Sequence, residues 1–369
     1  MCLMTGGYRP PVLIEETTME QFQWPSQDAA RLICKSRWQE TPDCISFTLT
    51  SEEQDKTFSF IAGQFVTLGV EIDGNTEYRA YSLSSLSNQT EMQFTVKRVA
   101  GGKVSNYLND YLQVGQSLQV LPPAGQFHIE QPHTDKILLL SAGCGITPVM
   151  SMAKTLLADS QDRTEIHFIH AATCAEQLIY HAELQQMEQQ HPRFKLDIML
   201  EDATNTDYLE GRLTQAALAN YCPDIASRTA FLCGPVGFMQ AMKENLAALG
   251  MDMTLFYQES FTPAESTQPE VEDTKSKAAA LAHATVFVPS FGTETKIVTG
   301  SLLIDALESA KVPVIAACRS GICGSCKCKV TNGDFTRTSS ETLTEQEIAE
   351  GFVLACSCQI HSDVEVSLN

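Results

Sequence analysis

Three cysteines stand close together at Cys318, Cys323 and Cys326, spaced C-x4-C-x2-C, and Cys356 follows 30 residues after the last of them. Two iron atoms need four thiolates between them. One tight loop supplies three, and a distant segment must close the cage, which is the ligand spacing of a plant-type [2Fe–2S] cluster. The residues between are small or glycine (Ser320, Gly321, Gly324, Ser325), so backbone N–H groups can turn toward the cluster sulfurs and tune their potential. Zinc is the rival, but zinc ligands usually come as two short C-x2–4-C pairs, and only one such pair closes this loop. Cys328 and Cys358 lie close enough to substitute as ligands. The spacing favours Cys356, and Cys358 reads as a neighbouring buried thiol.

Four other stretches carry residue types suited to holding a charged ligand. In Arg79-Ala80-Tyr81-Ser82, strand alternation places Arg79 and Tyr81 on one face, a cation beside an aromatic plane. Gly102-Lys103-Val104-Ser105 opens a helical stretch, where free N–H groups and the positive end of the helix dipole favour a phosphate. Gly143-Cys144-Gly145-Ile146-Thr147-Pro148 follows a continuous apolar run and precedes a helical pattern, with Thr147 suited to the N-cap and Pro148 to the first turn. A strand, a glycine turn and a helix make a pyrophosphate site, although G-x-G-x-x-P is not the usual dinucleotide fingerprint. Cys233-Gly234-Pro235 ends a later strand, and ligands sit at strand carboxyl ends in open parallel sheets. Each of these alone also fits a plain structural role.

Taken together, R-x-Y-[ST], G-x-x-S, G-x-G-x-x-P and C-G-P in this order resemble the ferredoxin–NADP+ reductase superfamily, as does the turn Ala62-Gly63-Gln64-Phe65. The resemblance implies FAD, a nicotinamide nucleotide and specific roles. Arg79 reaches the FAD pyrophosphate, Tyr81 stacks on the isoalloxazine, and Ser82 lies near flavin N5 as a catalytic residue. Gly102, Val104 and Ser105 supply phosphate contacts. Gly143, Gly145, Thr147 and Pro148 form the nicotinamide nucleotide turn. Cys233, Gly234 and Pro235 lie beside the nicotinamide, with Cys233 catalytic, and Phe261 covers or approaches the flavin. Gly211-Arg212-Leu213 resembles a further turn of the family near the cofactor. An NADPH site wants arginine near the end of the second strand; Ala171-Ala172-Thr173-Cys174 has none, which favours NADH, although no acidic ribose clamp stands there either.

The elements that position these residues fall into three domains. Residues 1–28 read as a loosely ordered arm. From 29 to 133, short alternating strands such as Cys44–Thr50, Phe65–Val70 and Met92–Val96 are broken by turn residues and by one helical stretch, Val104–Leu112, with Tyr107, Leu108, Tyr111 and Leu112 as its apolar side. This predicts an antiparallel β-barrel for the flavin. From 134 to 261, strands alternate with helices (Ala175–Gln189, Leu213–Asn220 and Val236–Leu249 among them), a doubly wound α/β domain for the nicotinamide. Residues 262–283 are a polar, acidic linker. Residues 284–369 hold the cysteines in an α+β domain, expected as a β-grasp ferredoxin. His167, His170 and His181 read as structural or solvated.

The chain has 369 residues, a formal net charge of −20 and thirteen cysteines. The charge argues against nucleic acid or an anionic membrane as partner and suits docking on a basic protein patch. An odd cysteine count without a signal peptide suggests free thiols in the cytoplasm. No apolar run approaches the ~20 residues of a membrane span. The expectation is an oxidoreductase, a flavoprotein that passes electrons from NADH to FAD to [2Fe–2S] to a redox partner protein. Ala316–Gly321 and Val353–Cys358 resemble the branch of the family that serves a hybrid-cluster protein. The alternatives are the reductase of a Rieske-type oxygenase or demethylase, with a terminal oxygenase as partner, and a cluster-based redox sensor.

Overall fold

The computed structural model describes residues 19–25, 29–261, 283–316, 319, 321, 324–340 and 342–368. All but the last residue of the expected linker over 262–283, most of the N-terminal arm, and Cys318 and Cys323 lie outside these residues, and His283 already belongs to a strand.

The first domain holds strands β1 (Ala30–Thr41), β2 (Cys44–Thr50), β3 (Phe65–Ile72), β4 (Asn75–Ser82), β5 (Met92–Lys97) and β6 (Ser117–Val120), with helix α1 (Lys103–Tyr111) before β6. They form an antiparallel sheet in the order β4-β3-β6-β1-β2-β5. Alternation in β2 led us to expect one buried face, yet all seven residues are buried. Ile45, Phe47 and Leu49 enter the barrel core, while on the other face the Ser46 hydroxyl meets Thr95 at 2.5 Å and Thr48 meets Ser36 at 2.7 Å. Hydroxyls that satisfy one another can be covered without leaving orphaned polar groups.

Helix α1 also differs from its expected face. Val104, Leu108 and Leu112 are buried, but Tyr111 is 64% exposed. The helix is rolled toward Asn109, whose amide donates to the Val96 carbonyl at 3.2 Å, which leaves Tyr107 and Tyr111 packed on each other at the flank. The described part of the arm is tied down rather than loose: Phe22 donates its N–H to Thr57 O and packs its ring on Phe58 and Trp24.

The second domain runs β7 (Lys136–Ala142), α2 (Ile146–Ala158), β8 (Glu165–Ala172), α3 (His181–Gln190), β9 (Phe194–Leu200), β10 (Leu209–Glu210), α4 (Gln215–Tyr221), β11 (Thr229–Cys233), α5 (Val236–Ala248) and β12 (Phe256–Glu259). All pairs are parallel, in the order β10-β9-β8-β7-β11-β12. The continuous apolar run of β7 follows from its central place: Ile137 and Leu139 pack with α2 and α3, and Leu138 and Leu140 pack with α4 and α5 on the opposite face. Helix α3 begins six residues later than its pattern suggests, because Tyr180 sits at φ 58°. That left-handed residue separates the helix from a short 3-10 turn at Ala175–Gln177. The N-cap of α2 is Gly145 rather than Thr147. The turn Gly143–Gly145 runs straight into the helix, and the Thr147 hydroxyl donates back to the Cys144 carbonyl at 3.1 Å.

These two domains share a core. Cys44, Ala62, Phe127 and Ile129 of the first are buried in one cluster with Val149, Met152 and Phe231 of the second. Tyr180 clasps the joint: its N–H donates to Glu40 at 3.0 Å and its hydroxyl meets Thr95 at 2.5 Å.

The third domain contains β13 (His283–Val288), β14 (Thr293–Val298), α6 (Leu303–Ser309), β15 (Lys327–Asn332), β16 (Phe335–Arg337), α7 (Glu345–Ala349), β17 (Phe352–Leu354), β18 (Cys358–Ile360) and β19 (Val364–Ser367). Its main sheet has the order β14-β13-β19-β15-β17, with β13 and β19 parallel and the other pairs antiparallel, beside a two-stranded ribbon of β16 and β18. Leu303, Ile304 and Leu307 of α6 enter its own separate core. It meets the barrel where Ile315 packs against Phe65, which Tyr78, Ala80 and Ala124 also surround.

Candidate functional site

The sulfurs of Cys326 and Cys356 lie 3.3 Å apart. The antiparallel register brings them together: Lys327 on β15 pairs with Leu354 on β17, and Ala355 N–H donates to Cys326 O at 3.1 Å. Backbone donors point at both sulfurs, from Gly321 N–H to Cys356 at 3.2 Å and from Cys356 N–H to Cys326 at 3.4 Å. Gly321 holds φ 74°, and a Cβ there would fall 2.6 Å from Cβ of Ser339, so no larger residue fits the loop. Two thiols this close, each receiving an N–H, suit ligation of one iron atom. Cys328 and Cys358 are fully buried in the domain core, where burial raises both thiols above their usual range.

On the barrel, Arg79 and Tyr81 stand on β4 opposite Leu68 and Val66 and share a face, as alternation predicts. Burial raises the Tyr81 hydroxyl, and the Arg79 cation pulls against that rise. Arg79 donates to the Tyr78 carbonyl at 2.6 Å. Ser82 ends the strand, buried opposite Phe65. Lys103 reaches Glu77 of β4 at 2.9 Å, which ties the start of α1 to this strand. Gly102 caps α1 without any side-chain hydrogen bond to the first-turn N–H groups. Ser105 accepts from Val99 N–H at 3.3 Å through its hydroxyl. An aromatic plane, a guanidinium and uncapped helix N–H groups on adjoining elements fit a flavin dinucleotide.

At the second sheet the two glycine motifs touch. A Cβ on Gly145 would lie 2.2 Å from the Cys233 carbonyl oxygen, so glycine is required where α2 meets β11. A cavity of about 440 Å³ opens here, lined among others by Gly143, Thr173, Glu201, Arg212 and Pro235. Cys233 is fully buried in the shared core, and burial, reinforced by Glu259, pushes its thiol well up. A neutral, enclosed thiol is suited to packing rather than to nucleophilic attack. Phe261 follows β12 and is 47% exposed.

The end of β8 carries no arginine, but Arg212 reaches the cavity and pairs with Glu201 at 3.1 Å. Glu201 was not singled out from the sequence. It follows the apolar run of β9, and a carboxylate just past a buried parallel strand was the signal available. His167 bonds Asp197 at 2.6 Å and His170 bonds Ser141 at 2.8 Å, so both serve structural roles.

Three family profiles match the chain: an oxidoreductase FAD-binding domain over residues 31–129, an oxidoreductase NAD-binding domain over 139–244 and a 2Fe-2S iron-sulfur cluster binding domain over 287–361. NADH oxidoreductase HCR of Escherichia coli is 36% identical over 88% of this chain and 94% of its own length. The glycine betaine monooxygenase reductase subunit of Chromohalobacter salexigens is 35% identical over 90% and 94%. Among solved structures, phthalate dioxygenase reductase shares the fold at a TM-score of 0.61 and 23% identity, covering 92% of this chain and 98% of that one.

Proposed function

Because the chain belongs to the ferredoxin–NADP+ reductase superfamily, as an NADH oxidoreductase with FAD and a C-terminal [2Fe–2S] domain, we propose that its electrons go to a hybrid-cluster protein. The observation that carries this choice is the match with NADH oxidoreductase HCR along nearly the whole chain. The similarly extensive match with an oxygenase reductase subunit supports a second reading, in which the acceptor is a Rieske-type oxygenase or demethylase.

A flavin held here would supply two-electron acceptance from NADH and one-electron release toward the cluster. We assign the chain's own residues as follows. Arg79 holds the FAD pyrophosphate, and Tyr81 stacks on the ring, supported from behind by the barrel core. Ser82, buried at the strand end, sits near N5. The N–H groups from Gly102 through Val104 and Ser105 hold phosphate, since the Ser105 hydroxyl already serves Val99. Gly143, Gly145, Thr147 and Pro148 shape the nucleotide turn. Cys233, Gly234 and Pro235 wall the nicotinamide, with Phe261 at the rim. Cys318, Cys323, Cys326 and Cys356 hold the cluster. The seat of Ile315 on Phe65, beside β4, supports a short path from flavin to cluster.

The partner docks through charge: an acidic protein meets a basic face on its acceptor. We place the chain in the cytoplasm. All ten cysteines among the described residues are free thiols, and no helix there is long and apolar enough to cross a membrane.

The test begins with an anaerobic NADH titration followed by visible absorbance and low-temperature EPR. Flavin bleaching followed by a reduced [2Fe–2S] signal is expected. Turnover is then compared with a hybrid-cluster protein and with a Rieske oxygenase as acceptor. A higher kcat/KM with the hybrid-cluster protein is expected. It should fall between about 0.1 M salt, where the Debye length is about 10 Å, and about 1 M, where it is about 3 Å. Faster reduction of the oxygenase would select the second reading, and an unchanged rate across salt would remove the electrostatic account.

A further inference from the structure

Four residues from the two domains close a ring of hydrogen bonds at the joint beside the nucleotide turn. Ser46 on β2 and Thr95 on β5 are directly opposed in the sheet, and their hydroxyls meet at 2.5 Å. The Thr95 hydroxyl also meets that of Tyr180 at 2.5 Å. Ser46 donates to Glu40 Oε2 at 2.8 Å, as does the Trp38 indole N–H. Glu40 Oε1 accepts the Tyr180 N–H at 3.0 Å, which closes the ring. Proton counting fixes its direction. Glu40 takes three donors, and each hydroxyl has one proton to give. Ser46 spends its proton on Glu40, so Thr95 donates to Ser46 and Tyr180 donates to Thr95. The hydroxyl chain thus runs from the nicotinamide domain into the barrel and ends on a carboxylate, and the bonds of such a chain strengthen one another. Ser46, Thr95 and Tyr180 are buried. Tyr180 holds φ 58° here, a conformation that costs an aromatic residue free energy and that positioned sites retain.

Thr95 connects this ring to both proposed sites. Its carbonyl accepts from the Cys144 thiol at 3.6 Å, and Cys144 is the middle residue of the nucleotide turn. On the flavin side, Ser84 N–H donates to Gln93 O at 3.0 Å, which ties the chain just after Ser82 to β5 two residues before Thr95. None of the four ring residues lines the cavity assigned to NADH. Gly143 and Ile179, the chain neighbours of Cys144 and Tyr180, do line it. We propose that Glu40, Ser46, Thr95 and Tyr180 are positioning residues for hydride transfer, whose ring holds the cavity wall at the register to the barrel that brings bound NADH to the flavin. The proposal rests on reading that cavity as the NADH site. The contacts that would bind the nucleotide, at Glu201, Arg212 and Pro235, lie on the far side of the turn from the ring in sequence and do not depend on it. Loss of the ring therefore acts on the chemical step, where small misplacement is costly, more than on affinity.

The experiment mixes the full-length holoprotein with NADH anaerobically in a stopped-flow spectrometer. It follows flavin bleaching and the long-wavelength charge-transfer band of the nicotinamide–flavin complex. Thr95→Val keeps the backbone carbonyl and the side-chain shape, but leaves the Tyr180 hydroxyl without its acceptor and Ser46 without its donor. It should lower the limiting rate of flavin reduction by roughly tenfold to a hundredfold and weaken the charge-transfer band, with the half-saturating NADH concentration little changed. Thr95→Ser, which keeps the hydroxyl, should recover most of the rate and the band. Tyr180→Phe keeps the ring in the core and should behave as Thr95→Val does, and it decides the matter where Thr95→Val fails to retain FAD. Wild-type rate and band in Tyr180→Phe overturn the proposal. Equal slowing in Thr95→Ser overturns it too, because the methyl group and not the hydroxyl would then matter. A raised half-saturating concentration with an unchanged limiting rate does the same, since the ring would then serve binding alone. If the wild-type flavin does not bleach with NADH at all, the reading of the cavity fails and the proposal falls with it.

Discussion

At Glu201 a carboxylate holds the guanidinium of Arg212, and both groups are well exposed beside the cavity proposed for the nucleotide. On the reading proposed for this cavity, the pair accounts for a preference for NADH more directly than the absence of arginine after β8 does. An arginine does line the cavity, but its charge is already matched. Glu201→Gln releases it, and a free guanidinium recognises a phosphate well. The expected outcome is a rise of roughly tenfold in kcat/KM for NADPH, about 1.4 kcal/mol of transition-state binding, with NADH little affected. Steady-state kinetics with both nucleotides checks this; an unchanged ratio would place specificity elsewhere. The residue scale is also where the sequence was least legible. The approach of Cys326 to Cys356 was legible from spacing, because the ligands of a cluster would impose such a pattern along the chain. Glu201 was not, because three-dimensional packing alone brings the end of β9 to Arg212. Tyr111 was misplaced because helical period gives a face but not the roll that Asn109 imposes.

At the scale of elements, β7 and β8 are joined by more than their ladder. His170 on β8 is fully buried and bonded to Ser141 on β7. Burial lowers its pKa from 6.5 to about 4, against a smaller upward pull from Ser141. On unfolding the ring regains its ordinary affinity, so between about pH 6.5 and pH 4 the unfolded chain binds the extra proton. Stability is then fully present above pH 6.5 and declines as pH falls toward 4, by roughly 3 kcal/mol across the window. Urea midpoints should drop between pH 7.5 and pH 5 in the wild type and less so in His170→Gln; equal drops would assign the loss to other groups. The strands themselves read well from sequence. Cys44–Thr50 has the expected bounds, and the strands expected at Phe65 and Met92 start there, because buried strands need unbroken apolar or paired hydroxyl faces. Helix starts read less well. The left-handed Tyr180 and the turn at Gly143–Gly145 are set by contacts across the domain joint, and local propensity carries no trace of those.

For the whole molecule, domain order was legible from the sequence of motifs, since each cofactor demands its own strand–turn–helix grammar. What the sequence did not reveal is how unequally the domains are joined. Flavin and nicotinamide domains bury residues in a common cluster and are clasped by Tyr180, whereas the third domain keeps its own core and leans on the barrel through Ile315. Heat makes that inequality visible. A unit that shares its interior cannot melt by halves, so the first two domains should absorb heat in one transition, and the iron-binding domain in another. Differential scanning calorimetry of the loaded protein should therefore resolve two endotherms rather than three. The smaller should shift when the iron is stripped away, and the larger when FAD is withheld. A single sharp endotherm would mean that the small seat at Ile315 couples the parts as firmly as the large one.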